Sequence, residues 1–295
     1  MEHLITILGG DARQISLAAH LARMGIKVRV FALPEERMLP CVTVCKDWRS
    51  AVLDAKAVLL PLPASPDGRI VHAPLSPLVS PIRLEELFDE LADGCFIAGG
   101  RFSPSVKAMA QARGRELFDY SESEAFQIAN AVPTAEGAVA ILMERLPRTV
   151  RGLSVAITGY GRVGRALAAL LLSMGARVTV GARKFDALLQ ARAVGCDTVR
   201  LCGDESVIAL AEGNSVVFNT VPHWLFSKNV LSSISRDTLL IDLASSPGGV
   251  DIEAAGEAGI SVVWALSLPG KYAPVTAGEI IADTVLSHMR EEGIL

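Results

Sequence analysis

The sequence predicts an α/β protein built from two doubly wound parallel sheets with a cleft between them. Three observations predict it. Short apolar runs alternate with stretches of helical period twice over, once up to Ala112 and again after Gly152, and alternating βα units assemble into parallel sheets. The run Ser154–Thr158 leads through Gly159-Tyr160-Gly161-Arg162-Val163-Gly164 into a helical stretch and then another apolar run. That strand–turn–helix–strand setting gives such a glycine pattern its meaning and makes the reading Rossmann-like. The length, 295 residues, suits two cores at about 150 residues per domain.

In order, the first series comprises Leu4–Leu8, Ile15–Met24, Val28–Phe31, Ala57–Leu60, Leu84–Leu91, Phe96–Ala98 and Val106–Ala112. Between its middle members, Pro61 to Pro81 holds six prolines, so it reads as a long excursion over the sheet edge rather than a helix or central strand. The second series comprises Ser154–Thr158, Val163–Met174, Arg177–Val180, Ala187–Val194, Val216–Asn219, Val230–Ile234, Thr238–Asp242 and Ser261–Trp264. Thr134–Leu146, with Pro133 just ahead and Glu136 in its first turn, reads as a connecting helix. After a loop from Leu266 to Pro274, Ala277–Met289 is an amphipathic helix that must bury Ile280, Ile281, Val285 and Leu286, and the first domain is its expected dock. The expected organisation is a substrate domain over residues 1–133, completed by a C-terminal helix over 275–295, a bridging helix over 134–150, and a dinucleotide domain over 151–274.

Composition narrows the function classes. Apolar residues make up 51% and charged residues 20% of the chain, too apolar for disorder. A net charge of −4 without a lysine or arginine cluster leaves no footprint for nucleic acid or anionic lipid. The longest largely apolar stretch, Ala166–Met174, interrupted only by Ser173, is half of the roughly 18 residues that cross a bilayer, so no membrane span is expected. The five cysteines follow no secretory signal, since Leu4–Leu8 already reads as a strand, and a reducing cytoplasm is expected. Cys41 and Cys45 lack a second ligand pair, so no metal is expected.

In the glycine turn, Gly159 permits the tight bend, Gly161 lets backbone approach a diphosphate, and Gly164 lets helix and strand pack closely, with Tyr160, Arg162 and Val163 between them. No acid ends the next strand to accept a ribose 2′-hydroxyl. Arg183 and Lys184 stand there instead, and two cations suit a 2′-phosphate, so NADP(H) is expected over NAD(H). Asn219-Thr220-Val221-Pro222 and Asp242-Leu243-Ala244 end the fourth and fifth strands of this domain, where ligands of doubly wound sheets sit. They are expected to flank ribose and nicotinamide.

On the substrate side, Gly9-Gly10-Asp11-Ala12-Arg13-Gln14 lacks dinucleotide spacing. Asp11 is expected to cap the helix, and exposed amides beside Arg13 to hold a carboxylate. Asn130, Thr134 and Glu136 lead into the bridging helix, with Glu136 the candidate general base. Lys271, Tyr272 and Thr276 can donate to an anion, and Arg101 can grip a carboxylate. His223 is the histidine expected near the nicotinamide and the second candidate for proton transfer.

Five segments together, Gly9–Gln14, Val132–Gly137, Gly159–Gly164, Ile241–Gly249 and Leu268–Gly278, resemble the dipicolinate synthase A chains of spore-forming bacteria over nearly the whole sequence. The resemblance implies NADP-dependent oxidation of a dihydrodipicolinate-type intermediate of the lysine pathway to dipicolinate, a small dicarboxylate. It further implies that the partner is a flavoprotein-like B subunit and that the setting is the mother-cell cytoplasm during sporulation. A homo-oligomer is expected as well. Arg13, Thr134 and Thr276 are then the anchors for two carboxylates. Two other readings stand beside it. One is an NADP-dependent dehydrogenase of the 2-hydroxyacid or shikimate type, for which no convincing catalytic pair is found. The other is a non-catalytic protein that senses NADP(H).

Overall fold

The structure, a computed structural model, describes residues 4–76 and 80–295. The chain divides into two compact units, Met1–Asn130 with Ala273–Leu295, and Ala131–Tyr272.

The first unit contains β1 (Leu4–Leu8), α1 (Ala12–Arg23), β2 (Lys27–Phe31), β3 (Thr43–Val44), α2 (Trp48–Val52), β4 (Ala57–Leu59), α3 (Leu84–Glu90), β5 (Phe96–Gly99), α4 (Pro104–Gln111), β6 (Leu117–Asp119) and the start of α5 (Glu124–Arg145). Its strands pair in parallel in the order β3-β2-β1-β4-β5-β6. β1 is buried at every residue, because helices cover both faces of a parallel sheet and its central strand sees no water. Of the proline-rich excursion, Pro77, Leu78 and Val79 lie outside the described residues. The remainder carries no α-helix, and Val71 and Ile82 are buried on the sheet.

The second unit contains the rest of α5, then β7 (Ser154–Thr158), α6 (Arg162–Ser173), β8 (Arg177–Ala182), α7 (Phe185–Ala193), β9 (Asp197–Arg200), α8 (Asp204–Glu212), β10 (Val216–Asn219), α9 (Lys228–Ser233), β11 (Leu239–Asp242), α10 (Ile252–Ala258), β12 (Ser261–Trp264) and α11 (Leu268–Tyr272). Its parallel sheet runs β12-β11-β10-β7-β8-β9. Counted from its first strand, each sheet has the order 3-2-1-4-5-6. The topology therefore reverses between β1 and β4 in one unit and between β7 and β10 in the other, the places where such folds bind ligands.

The last helix, α12 (Pro274–Glu291), belongs to the first unit and packs along α1. Ile281, Ala282, Val285, Leu286 and Met289 join Leu17, Ala18 and Leu21 in one core. The approach is close at Gly278, where a Cβ would stand 2.5 Å from the Arg13 carbonyl oxygen. His288 stacks on Phe118 with ring centroids 3.8 Å apart, tying α12 to β6.

Two expected boundaries move. The connecting helix does not start after Pro133 but runs from Glu124 with Pro133 inside it. A mid-helix proline forfeits one hydrogen bond and costs about 3 kcal/mol. Burial of Ala135, Ala138, Val139, Ile141 and Leu142 in the second core outweighs that loss, as packing usually outweighs propensity. This helix is also long and apolar enough to pass for a membrane span, which the apolar runs did not indicate, with half of that stretch buried inside the protein. The expected loop from Leu266 to Pro274 holds α11, a short helix with Pro269 in its first turn, where a proline has no hydrogen bond to forfeit.

Candidate functional site

The second unit presents an open glycine turn at its switch point. Gly159 takes φ +87°, and a Cβ there would meet Thr220 Oγ1 at 2.6 Å, so only glycine allows the loop after β10 to close on the turn. At Gly164 a Cβ would stand 2.5 Å from the Gly159 carbonyl oxygen. Gly161 differs: nothing lies within 4 Å of its Cβ position. It caps α6 without a side-chain hydrogen bond, and no acid occupies the first turn. The first N–H groups of a helix have no intrahelical partner and sit at its positive end, so the bare backbone at Gly161 is a cradle for a diphosphate. The residues present thus fit a dinucleotide. Among their neighbours, Tyr160 is buried and Arg162 is exposed though not without a partner.

Arg183 and Lys184 follow β8, both exposed, and no hydrogen bond or ion pair engages either side chain among the described residues. They are free to meet an anion. Asn219 and Asp242 are not free. Asn219 is fully buried and accepts from Thr158 Oγ1 at 2.6 Å and the Val221 N–H at 3.1 Å. Its Nδ2 donates to the Val221 carbonyl at 3.0 Å and to Asp242 Oδ1 at 2.8 Å. Asp242 also accepts the Ala244 N–H at 3.0 Å and the Gly249 N–H at 2.9 Å. This network ties the ends of β7, β10 and β11 together. It corrects the expectation that Asn219, Asp242 and Ala244 themselves face a ligand: their polar groups are spent inside the fold, and what they present is the position of Thr220, Val221, Pro222 and of Ser245–Pro247. Val221 is half-buried and Pro222 exposed. Thr158 and Gly249 were missed from the sequence. No spacing rule marks them, since they meet Asn219 only once three strands lie side by side.

The equivalent turn of the first unit is closed by its own side chains. Asp11 caps α1 by accepting the Arg13 N–H at 2.9 Å, and Gln14 returns to the Asp11 N–H at 3.0 Å, a capping box. The Gly9 and Gly10 N–H groups bond to the carbonyls of Phe31 and His72. The exposed amides expected beside Arg13 are therefore already satisfied. Arg13 is itself buried, pairs with Asp11 at 2.8 Å and donates to the Leu62 carbonyl, which corrects its reading as a free carboxylate anchor. Burial pushes the Asp11 carboxyl up, but the Arg13 hydrogen bond and charge outweigh this and hold it below the usual range. An internal carboxylate fills the anion position that stands open in the second unit. Beneath it, buried Tyr120 donates to the Leu60 carbonyl at 3.1 Å, and burial raises its pKa, keeping it neutral.

The other candidates are scattered over the two units. Arg101 follows β5 in the first unit and is exposed. Thr276 is exposed in the first turn of α12, which carries no acid. Asn130 and Thr134 lie within α5 rather than in a loop ahead of it, and neither is without a partner. Glu136 is exposed in the middle of that helix, not in its first turn, so the helix terminus no longer accounts for a carboxylate there. His223 is exposed beyond β10. Lys271 and Tyr272 bond to each other at 3.1 Å, and Tyr272 reaches Glu144 at 3.4 Å. The sequence reading also missed Asp119, which is 7% exposed. Its carboxylate accepts the N–H groups of Arg101 at 3.0 Å, Phe102 at 2.9 Å and Ser121 at 3.0 Å. The only signal was an acid closing a three-residue edge strand.

Residues 4–121 match the family of the N-terminal domain of the dipicolinate synthase A chain. The dipicolinate synthase A chain of Bacillus subtilis is 29% identical over 98% of this chain and 96% of its own. The crystal structure of its counterpart from Bacillus halodurans superposes with a TM-score of 0.89 at 29% identity, covering 98% of each chain. A transhydrogenase from Sinorhizobium meliloti, 14% identical, shares the fold with a TM-score of 0.72 over 98% of this chain and 94% of its own. The fold of two Rossmann-like units is thus common to these relatives. The chain is thus similar to the dipicolinate synthase A chains, through the family match over residues 4–121 and through a relative aligned over 98% of its length.

Proposed function

We propose that this chain oxidises a dihydrodipicolinate-type intermediate of the lysine pathway to dipicolinate with NADP+, acting beside a B subunit in the mother-cell cytoplasm of a sporulating bacterium. The observation that carries the redox part is the contrast between the two turns: one is sealed by Asp11, the other leaves Gly161 bare at a helix end. The relatives' name carries the substrate.

When bound, NADP+ supplies the hydride acceptor. Gly159, Gly161 and Gly164 hold the diphosphate against the end of α6, with Tyr160, Arg162 and Val163 shaping the turn. Arg183 pairs bidentately with the 2′-phosphate and Lys184 adds a point charge. Thr220, Val221 and Pro222 border the ribose and nicotinamide, held there by Asn219 and Asp242. Aromatising a dihydropyridine removes one hydride and one proton. The Glu136 carboxylate takes the proton on Oε, and the His223 imidazole is the other group able to do so near neutral pH. Thr276 donates to a substrate carboxylate.

The test uses purified chain, NADP+ and dihydrodipicolinate generated enzymatically, with and without the B subunit. Reduction of NADP+ by the chain alone is expected. Turnover only with the B subunit, despite NADPH binding, overturns the catalytic assignments, and absence of NADPH uptake in calorimetry overturns the redox reading.

A further inference from the structure

Arg101 occupies a position whose backbone favours a different residue. It takes φ +57°, the left-handed region where a side chain is strained and glycine or asparagine rests more easily. The turn is held from below. Buried Asp119 accepts the N–H groups of Arg101 and Phe102, and Ser121 Oγ accepts a further bond from the Arg101 N–H at 3.0 Å. The turn is held through backbone N–H groups and makes no use of the guanidinium.

Its surroundings favour an anion. Arg101 is exposed and its guanidinium forms no hydrogen bond or ion pair among the described residues. Asp119 spends its carboxylate on the turn, and the nearby acid Glu122 is engaged by Lys107 at 2.7 Å. The positive end of α4 begins two residues on, capped by Ser103, with no acid in its first turn. Arg13, by contrast, is buried and bound to Asp11 and Leu62.

We infer that Arg101, not Arg13, grips one carboxylate of the substrate and makes the protein select a dicarboxylate over a monocarboxylate, with Asp119 as its positioning residue. This rests on the dicarboxylate reading of the substrate. A guanidinium matches a carboxylate bidentately, and a charged hydrogen bond lost from a ligand is a large effect.

The experiment is calorimetric titration of dipicolinate and of pyridine-2-carboxylate into the full chain with NADPH bound. Arg101→Gly is the main variant because glycine relieves the left-handed backbone, so it is expected to melt no lower than the parent. Arg101→Asn, which also tolerates that backbone, is the second. Both are expected to weaken dipicolinate binding by about 10- to 100-fold, to bring the Kd ratio of the two ligands toward one, and to leave NADPH binding unchanged. Asp119→Asn is expected to lower dipicolinate affinity less than removal of Arg101 does. Arg69→Ala, on the neighbouring excursion, is expected to change nothing. Parental dipicolinate affinity and ligand ratio in Arg101→Gly and Arg101→Asn overturn the inference about Arg101 alone. A parent that takes up NADPH but no dipicolinate overturns the substrate reading, and the inference with it.

Discussion

Gly161→Ala separates binding from folding more cleanly than any other substitution in the glycine turn. A methyl group at Gly161 meets nothing within 4 Å, and its φ of −82° suits any residue. Replacing glycine by alanine in a compatible conformation stabilises a protein by about 0.4–1 kcal/mol, because the unfolded chain loses freedom. The variant is therefore expected to melt at or slightly above the parent temperature. The same methyl occupies the space through which the backbone would approach a diphosphate. Losing one charge-assisted hydrogen bond costs about 1.5–3 kcal/mol, which is about 10- to 150-fold in Kd. Gly164→Ala is the counter-case: its Cβ would lie 2.5 Å from the Gly159 carbonyl oxygen, a backbone atom that cannot move aside. Overpacking of that kind costs about 1–3 kcal/mol, so this variant is expected to melt lower. Differential scanning fluorimetry and NADPH titration read both quantities. If Gly161→Ala binds NADPH as the parent does, the turn is not the diphosphate cradle; if it unfolds, the open space is misjudged.

Arg183→Asp is expected to raise the Kd for NADPH far more than that for NADH, and equal losses would refute recognition of the 2′-phosphate. Asp242→Ala orphans the buried Asn219 amide and the N–H groups of Ala244 and Gly249; at about 1–3 kcal/mol for each buried donor, urea unfolding should show a loss of about 3 kcal/mol or more, and a loss under about 1 kcal/mol would mean that water replaces the network. Asp11 has its folded pKa below the unfolded value of about 3.9, so its contribution to stability is full above that pH and fades as pH falls through the folded value. Asp11→Asn should flatten the acid limb of the stability curve, and an unchanged limb would show that the Arg13 pair contributes nothing to it.

The central strands and their covering helices were legible because burial on both faces writes itself as continuous apolar runs: Leu4–Leu8 and Ser154–Thr158 are strands at the residues expected. Three of the four edge strands were not: Thr43–Val44, Leu117–Asp119 and Asp197–Arg200 are short and partly exposed, so their residues look like loop, and with them went the helices α2 and α8 and the carboxylate of Asp119, whereas the edge strand Ser261–Trp264 lies at the residues expected.

The glycine pattern, the cations after β8 and the alternation of βα units were determined by the sequence alone, because each rests on neighbours a few positions apart. The tertiary structure decided which charged groups are spoken for. Arg13 and Arg101 look alike in the sequence, yet one is buried against Asp11 and the Leu62 carbonyl while the other stands exposed over Asp119. Asn219 and Asp242 were likewise turned from ligand contacts into braces. Whether a polar group is free depends on partners remote in the chain, as Thr158 is 61 residues from Asn219, and no local pattern encodes that distance.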